Sequence, residues 1–102
     1  MKLYIAGAIT GIENHALPFD EAAAALVDKG YEVASPTWFD AQGALLGWGW
    51  NEYMRATLQM MHDCDGVATL SGWENSKGAT VEVELASAVG MTVASVDDWM
   101  KG

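Results

Sequence analysis

The residues best suited to chemistry lie between Asp65 and Glu82, where the sequence reads DGVATLSGWENSKGATVE. Its apolar first half predicts a buried strand, and a glycine-containing loop then leads into a predicted helix. A helix N-terminus attracts anions, because its backbone N–H groups are free and its dipole is positive there. Ser76 can cap this helix and offer a hydroxyl, Lys77 adds a donor, and Gly78 lets a ligand approach the backbone. The pattern therefore allows an anion site or an ordinary helix cap.

Glu82 is the second chemical candidate, because helical spacing places it on the side of the predicted helix 79–89 that should pack on the sheet. The other residues expected on that face are Leu85, Ala86 and Val89. A carboxylate on a buried face is costly unless it is paired or used. In the first turn of the helix, the dipole would help to keep it ionised, as a nucleophile that attacks carbon must be. The alternative is a buried glutamate that is hydrogen-bonded to a neighbouring loop.

Several segments of the chain form a recognisable combination. The sequence opens with YIAG at 4–7, continues after a predicted helix with GYEV at 30–33, and contains CDGVATL at 64–70 followed by S-x-G-x-x-x-E at 76–82. With these motifs the chain resembles the nucleoside 2-deoxyribosyltransferase superfamily, and most closely a small phage and bacterial group within it. The resemblance covers nearly the whole chain, and its last motif is fairly specific.

The resemblance implies covalent, glycosidase-like catalysis. A glutamate at the position of Glu82 attacks C1′ of a deoxyribonucleoside and expels the base, and water or another base resolves the glycosyl-enzyme. Tyr4 matches an active-site tyrosine of the superfamily, although an ordinary strand aromatic is the alternative. Ser76 and Gly78 match the branch that hydrolyses deoxynucleoside 5′-monophosphates, where they hold the phosphate. We therefore expect cleavage or base exchange at the N-glycosidic bond of a nucleotide or nucleoside, without a cofactor.

Two departures from the superfamily bear on turnover. Its enzymes carry a catalytic aspartate on the second helix, and the matching position, eight residues before Asp65, is occupied by Thr57. Thr10 and Ala8 stand where the hydrolases have an arginine and a serine in the first loop. Two functions are compatible with these departures: a weak enzyme, and a catalytically inactive nucleotide-binding module that acts as a sensor or a sponge. The residues expected to bind the substrate are Gly7, Thr10, Thr57, Trp73, Ser76, Lys77 and Gly78.

Aromatic and histidine side chains give weaker signals. The chain has five tryptophans; Trp73 follows the third predicted strand and could stack on a base, as could Trp38 and Trp48 in the second loop. Packing or a subunit interface is the alternative for all three. His15 and His62 have no partners at metal-ligand spacing, so we expect no metal site.

The elements that must position these residues follow from the apolar spacing. Strands are predicted at 2–6, 31–35, 66–70 and 91–95, and helices at 18–29, 50–63, 79–89 and 96–101. The stretch 37–49 shows no period and is predicted to be a loop. Because helices join the strands, we expect residues 1–102 to form one small doubly wound, Rossmann-like or flavodoxin-like α/β domain in three layers, with a mostly parallel four-stranded sheet of order 2-1-3-4. The loops 7–17, 36–49 and 71–78 then meet at the carboxyl ends of the strands, where such sheets bind ligands.

Composition restricts the partners. The net charge of −9 argues against a nucleic acid polymer, and no apolar run approaches the roughly 18 residues of a membrane span. The absence of a recognisable signal peptide and a lone cysteine, Cys64, predict a reducing cytoplasm. An apolar second helix and loop predict a homodimer or a higher homo-oligomer. The residues behind this last expectation are Trp48, Trp50, Tyr53, Met54, Met60 and Met61.

Overall fold

Four strands and five α-helices follow one another in the computed structural model, which describes residues 1–102. The strands are β1 (Lys2–Ala6), β2 (Glu32–Ala34), β3 (Gly66–Thr69) and β4 (Thr92–Ser95). The helices are α1 (Ala16–Lys29), α2 (Asp40–Leu46), α3 (Trp50–His62), α4 (Lys77–Ala88) and α5 (Val96–Lys101). Short 3-10 turns precede α2 at Pro36–Phe39 and α4 at Trp73–Asn75. None of the helices is long and apolar enough to cross a lipid bilayer.

The sheet is parallel throughout, and its strand order is β2-β1-β3-β4, as the sequence predicts. The central strand β1 pairs with both β2 and β3, so that Tyr4 lies opposite Ala34 on one side and Val67 on the other. All of β3 is buried, which explains why its sequence is apolar without alternation. The carboxyl ends of the strands therefore meet at one edge of the sheet.

Alternation along β1 divides the core into two layers, because successive side chains of a strand point to opposite faces. Tyr4 and Ala6 belong to the layer that α3 and α4 cover, whereas Leu3 and Ile5 belong to the layer under α1 and α5. The first layer also contains Met61, Val67, Ala79, Val83 and Ala86. The second contains Phe19, Leu26 and Ala68, with Trp99 packed against them. Tyr4 is thus on the same side of the sheet as α4.

The structure differs from the prediction of a loop at 37–49, where a 3-10 turn and α2 occupy residues 36–46. This helix buries only Gly43, so it has no apolar stripe that periodicity could reveal. It ends at Gly47, whose φ of 68° lies in the left-handed region that favours glycine.

The buried face of α4 also differs from the prediction. Leu85 and Val89 are 42% and 64% exposed, whereas the residues buried with Glu82 are Ala79, Val83 and Ala86. These small or branched side chains let the helix lie close to the sheet, and the larger Leu85 faces away. The helix also begins at Lys77, earlier than predicted, so Glu82 lies in its second turn rather than its first. Because the dipole acts mainly within the first turn, its expected help in ionising Glu82 is small.

Candidate functional site

A cavity of about 450 Å³ opens at the carboxyl edge of the sheet. The loops after β1 and β2, one side of α3 and the N-terminus of α4 form its walls. Six of the residues proposed from the sequence line it: Gly7, Thr10, Thr57, Ser76, Gly78 and Glu82. These residues are far apart in the chain, and the parallel sheet brings them together because its loops share one edge.

Glu82, in the wall of this cavity, is hydrogen-bonded to Tyr4, which lies behind it in the core. The Tyr4 hydroxyl donates to Oε2 of Glu82. The tyrosine is fully buried, and the glutamate, which lines the cavity, is only 4% exposed. The register of β1 places the tyrosine beneath α4, and the rotation of α4 turns the carboxyl toward it. A buried carboxylate with one oxygen held by a phenol is a suitable geometry for a nucleophile.

The charge state of this pair depends on burial. Loss of solvent raises the pKa of Glu82 to about 7, although the hydrogen bond from Tyr4 acts to lower it. Burial, and then the neighbouring Glu82, raise the pKa of Tyr4 well above its ordinary value, so the phenol remains a donor. Near neutral pH the carboxyl is therefore divided between its protonated and ionised forms.

Thr57 lies beside the pair, at the position where the resemblance implies an aspartate. Its side chain is 4% exposed, and its hydroxyl donates to the backbone oxygen of Met54 over 3.3 Å. The position is therefore within the cavity, but it offers a hydroxyl and no acid.

The N-terminus of α4 forms another part of the cavity wall. The Ser76 hydroxyl oxygen accepts a hydrogen bond from the Ala79 N–H over 3.2 Å and so caps the helix. A Cβ on Gly78 would lie 3.2 Å from Sδ of Met54, so glycine keeps this wall open. Lys77 does not line the cavity, because its Nζ lies over the Trp50 ring, 4.3 Å from the ring centre. Lys77 instead lines a neighbouring hollow, which shares Thr10, Ser76 and Gly78 with the cavity.

The aromatic wall matches the one proposed from the sequence only at Trp48. Trp73 is half-buried, packs against the core and lines a separate hollow beside α1. Trp38 is 58% exposed and is not part of the cavity. The aromatic residues that do line it are Trp48, Trp50 and Tyr53, with the Trp48 and Tyr53 rings edge to face at 5.4 Å.

Sequence reasoning missed one polar pair in the cavity. His15, just before α1, and Asp40, the first residue of α2, both line it, and their Nε2 and Oδ2 atoms are 2.8 Å apart. They are 25 positions apart in the chain, and no local pattern connects them. Only the packing of the loops after β1 and β2 could reveal them.

One family model, described as a domain of unknown function (DUF4406), matches residues 1–95. The match includes the whole sheet and every residue of the cavity wall. No curated protein matches the chain. The family description assigns no substrate or reaction. The geometry of the cavity is therefore the basis for assigning a function.

Proposed function

The chain belongs to the DUF4406 family, and we propose that it cleaves or exchanges the N-glycosidic bond of a deoxynucleoside 5′-monophosphate, with Glu82 as the nucleophile. The observation that carries the proposal is the Tyr4–Glu82 pair, an almost buried carboxyl that a phenol holds in the wall of a cavity. A structural glutamate has no need of such a cavity, whereas a nucleophile requires both the fixed orientation and the access.

The proposed reaction takes place in two displacements. An ionised Glu82 oxygen attacks C1′, the C1′–O bond forms, and the C1′–N bond breaks with its electron pair leaving on the base. Water or a second base then attacks C1′ and releases the carboxylate. Tyr4 holds one carboxylate oxygen, which leaves the other free to attack.

The N-terminus of α4 supports a phosphate as the anchor of the substrate. Ser76 and Gly78 line the cavity there, where free N–H groups and the positive end of the helix dipole attract anions. The volume of about 450 Å³ lies within the range of small-molecule sites, roughly 300 to 1,000 Å³. Such local donors can hold one anion even on a chain of net charge −9.

A nucleotide-binding module without turnover is the second candidate. The observation that favours it is Thr57, which provides a hydroxyl beside Glu82 where a catalytic carboxylate is expected. The cavity would then bind a nucleotide as a sensor or a sponge.

The proposal is tested by incubating the purified protein with each common deoxynucleoside 5′-monophosphate. Chromatography then measures the amount of free base released. We expect release by the wild type and by Glu84→Gln, a change on the exposed face of the same helix, but not by Glu82→Gln. A 2-deoxy-2-fluoro nucleotide should leave a glycosyl adduct on the wild type, measured by intact-protein mass spectrometry, because fluorine slows the second displacement.

Thr57→Asp distinguishes the two candidates. If the wild type is a weak enzyme, restoring the carboxylate should raise the rate, since general acid–base help is worth about 10²–10⁴. No free base from any nucleotide, together with no gain from Thr57→Asp, would contradict the enzyme. In that case a rise in melting temperature on adding a nucleotide would support the binding module.

A further inference from the structure

We propose that His15, oriented by Asp40, is the general acid that protonates the departing base and then the base that activates the incoming water or acceptor. This inference rests on the proposed function and assigns a proton donor that the Thr57 position does not provide. It also assigns Asp40 as a positioning residue, which acts through the imidazole.

The geometry of the pair matches this role. Nε2–H of His15 donates to Oδ2 of Asp40 over 2.8 Å, and no other hydrogen bond of the protein involves the ring. Nδ1 is therefore left for a ligand. The two side chains are 29% and 36% exposed, so they are accessible from the cavity without being fully solvated. A carboxylate behind an imidazole fixes the orientation and the tautomer of the ring.

Each member of the pair is held by the fold. His15 lies at the start of α1, and Asp40 is the first residue of α2, where a negative charge is favourable. The Tyr53 hydroxyl donates to the backbone oxygen of Asp40 over 3.4 Å, which connects the start of α2 to α3. Such fixed positions are what a proton-transfer group needs.

Elimination among the cavity residues points to the same histidine. The only ionisable side chains that line the cavity are His15, Asp40, Tyr53 and Glu82. Glu82 is committed to the attack, Asp40 is paired with the imidazole, and the Tyr53 hydroxyl already donates its proton to the backbone oxygen of Asp40. His15 is the remaining ionisable side chain of the cavity, and an imidazole can both donate and accept a proton.

As the C1′–N bond breaks, the protonated imidazole transfers the Nδ1 proton to the base, which leaves neutral, and His15 becomes neutral. Water then attacks C1′, His15 takes one of its protons, and the C1′–O bond to Glu82 breaks to restore the carboxylate. This reciprocal use of one group as acid and base is general for retaining glycosidases.

Dependence on the leaving group tests this assignment. A purine nucleotide that the wild type cleaves is compared with its N7-methyl derivative, whose base departs neutral without receiving a proton; for a pyrimidine substrate, the 5-fluoro derivative provides the better leaving group. We expect His15→Gln to lower kcat/KM at least roughly 100-fold on the unmodified nucleotide and less than roughly tenfold on the activated one. Asp40→Asn should show the same dependence more weakly, and His62→Ala, an exposed histidine, should show none.

The glutamine variant separates catalysis from structure, because its amide can still donate a hydrogen bond to Asp40 but cannot deliver a proton. Melting curves check that it folds. Full activity of His15→Gln, or an equal loss on both nucleotides, overturns the inference and leaves the proposed function standing, since the wild type still turns over. If the wild type releases no base from either nucleotide above the spontaneous rate, the proposed function falls and this inference falls with it.

Discussion

At the scale of single residues, burial and hydrogen bonding shift the pKa of Glu82 in opposite directions. Burial raises its pKa to about 7, and the hydrogen bond that Tyr4 donates holds the pKa below the value that burial alone would produce. In the proposed reaction, such a carboxyl can be ionised when it attacks although it is almost entirely buried. The same balance makes both activity and stability depend on pH.

The first prediction concerns Tyr4→Phe. The ring keeps its packing, but the donor to the carboxylate is lost, so the pKa of Glu82 should move to a value above 7. Titration of the ¹³C-labelled glutamate carboxyl by NMR measures this without any assumption about activity. The ascending limb of kcat/KM should move in the same direction. A pKa of Glu82 that stays in place or falls in Tyr4→Phe would show that the phenol does not stabilise the ionised form.

The second prediction concerns stability and pH. The pKa of Glu82 is about 7 in the folded chain against an ordinary value of 4.5, so between these values the folded state holds a proton that the unfolded state has released. Stability then falls as pH rises through this window and is level above it. Glu82→Gln does not titrate, so its free energy of unfolding should rise relative to wild type by roughly 1.4 kcal/mol per pH unit there.

Urea unfolding at several pH values between 4 and 8 measures this difference. Glu84→Gln is the control, since its side chain lies on the exposed face of the same helix. A constant difference between wild type and Glu82→Gln across the window would mean that this carboxyl titrates normally in the folded protein.

At the scale of elements, α2 determines the shape of the cavity more than its length suggests. Its first residue, Asp40, lines the cavity, and its one buried residue, Gly43, packs against the ring of Tyr53. The ring contacts Trp48 in turn. This close approach of α2 to α3 places the His15–Asp40 pair on the same cavity as Glu82.

The third prediction is that Gly43→Ala loosens this contact. A Cβ at that position would overlap the hydroxyl end of the Tyr53 ring, so α2 or the ring must move, at a cost of about 1–3 kcal/mol. Thermal unfolding measures the loss. Gln42→Ala is the control, because this exposed residue of the same helix can become alanine without an overlap. Equal stabilities of the two variants would argue against the tight packing of α2.

At the scale of the whole molecule, the segment 38–46 exposes three large apolar side chains. Trp38, Leu45 and Leu46 are 58%, 85% and 59% exposed. By contrast, Met54 and Met61, which helped to predict an oligomer from the sequence, are buried within the chain, and Trp48 and Tyr53 pack on each other. The expectation of a homodimer therefore depends on the three exposed side chains Trp38, Leu45 and Leu46, in α2 and the 3-10 turn before it.

The fourth prediction is that the protein forms a homodimer through this surface, because burying three large apolar side chains stabilises association. Light scattering at micromolar concentration should give twice the mass of the chain, and Leu45→Asp should give the monomer. Val89→Asp, at an exposed apolar site on α4, should leave the dimer intact. A monomeric wild type would contradict the prediction.

Several features of the protein were readable from the sequence because they depend on neighbours in the chain. Apolar periodicity predicted the alternation of strands and helices, which implies a parallel sheet, and helical spacing placed Glu82 on the buried side of α4. Ser76 was identified as the cap of that helix because capping needs only the next three residues. Periodicity failed where an element buries almost nothing, as in α2.

Only the tertiary structure decided which side chains share the cavity. It brought His15 to Asp40, put Tyr4 under Glu82, and turned Trp73 away to a separate hollow. These contacts depend on how loops from different strands pack and on the rotation of each helix about its axis. Neither has a local signature, because a loop's course is determined by the surfaces beneath it, and these come from distant parts of the chain.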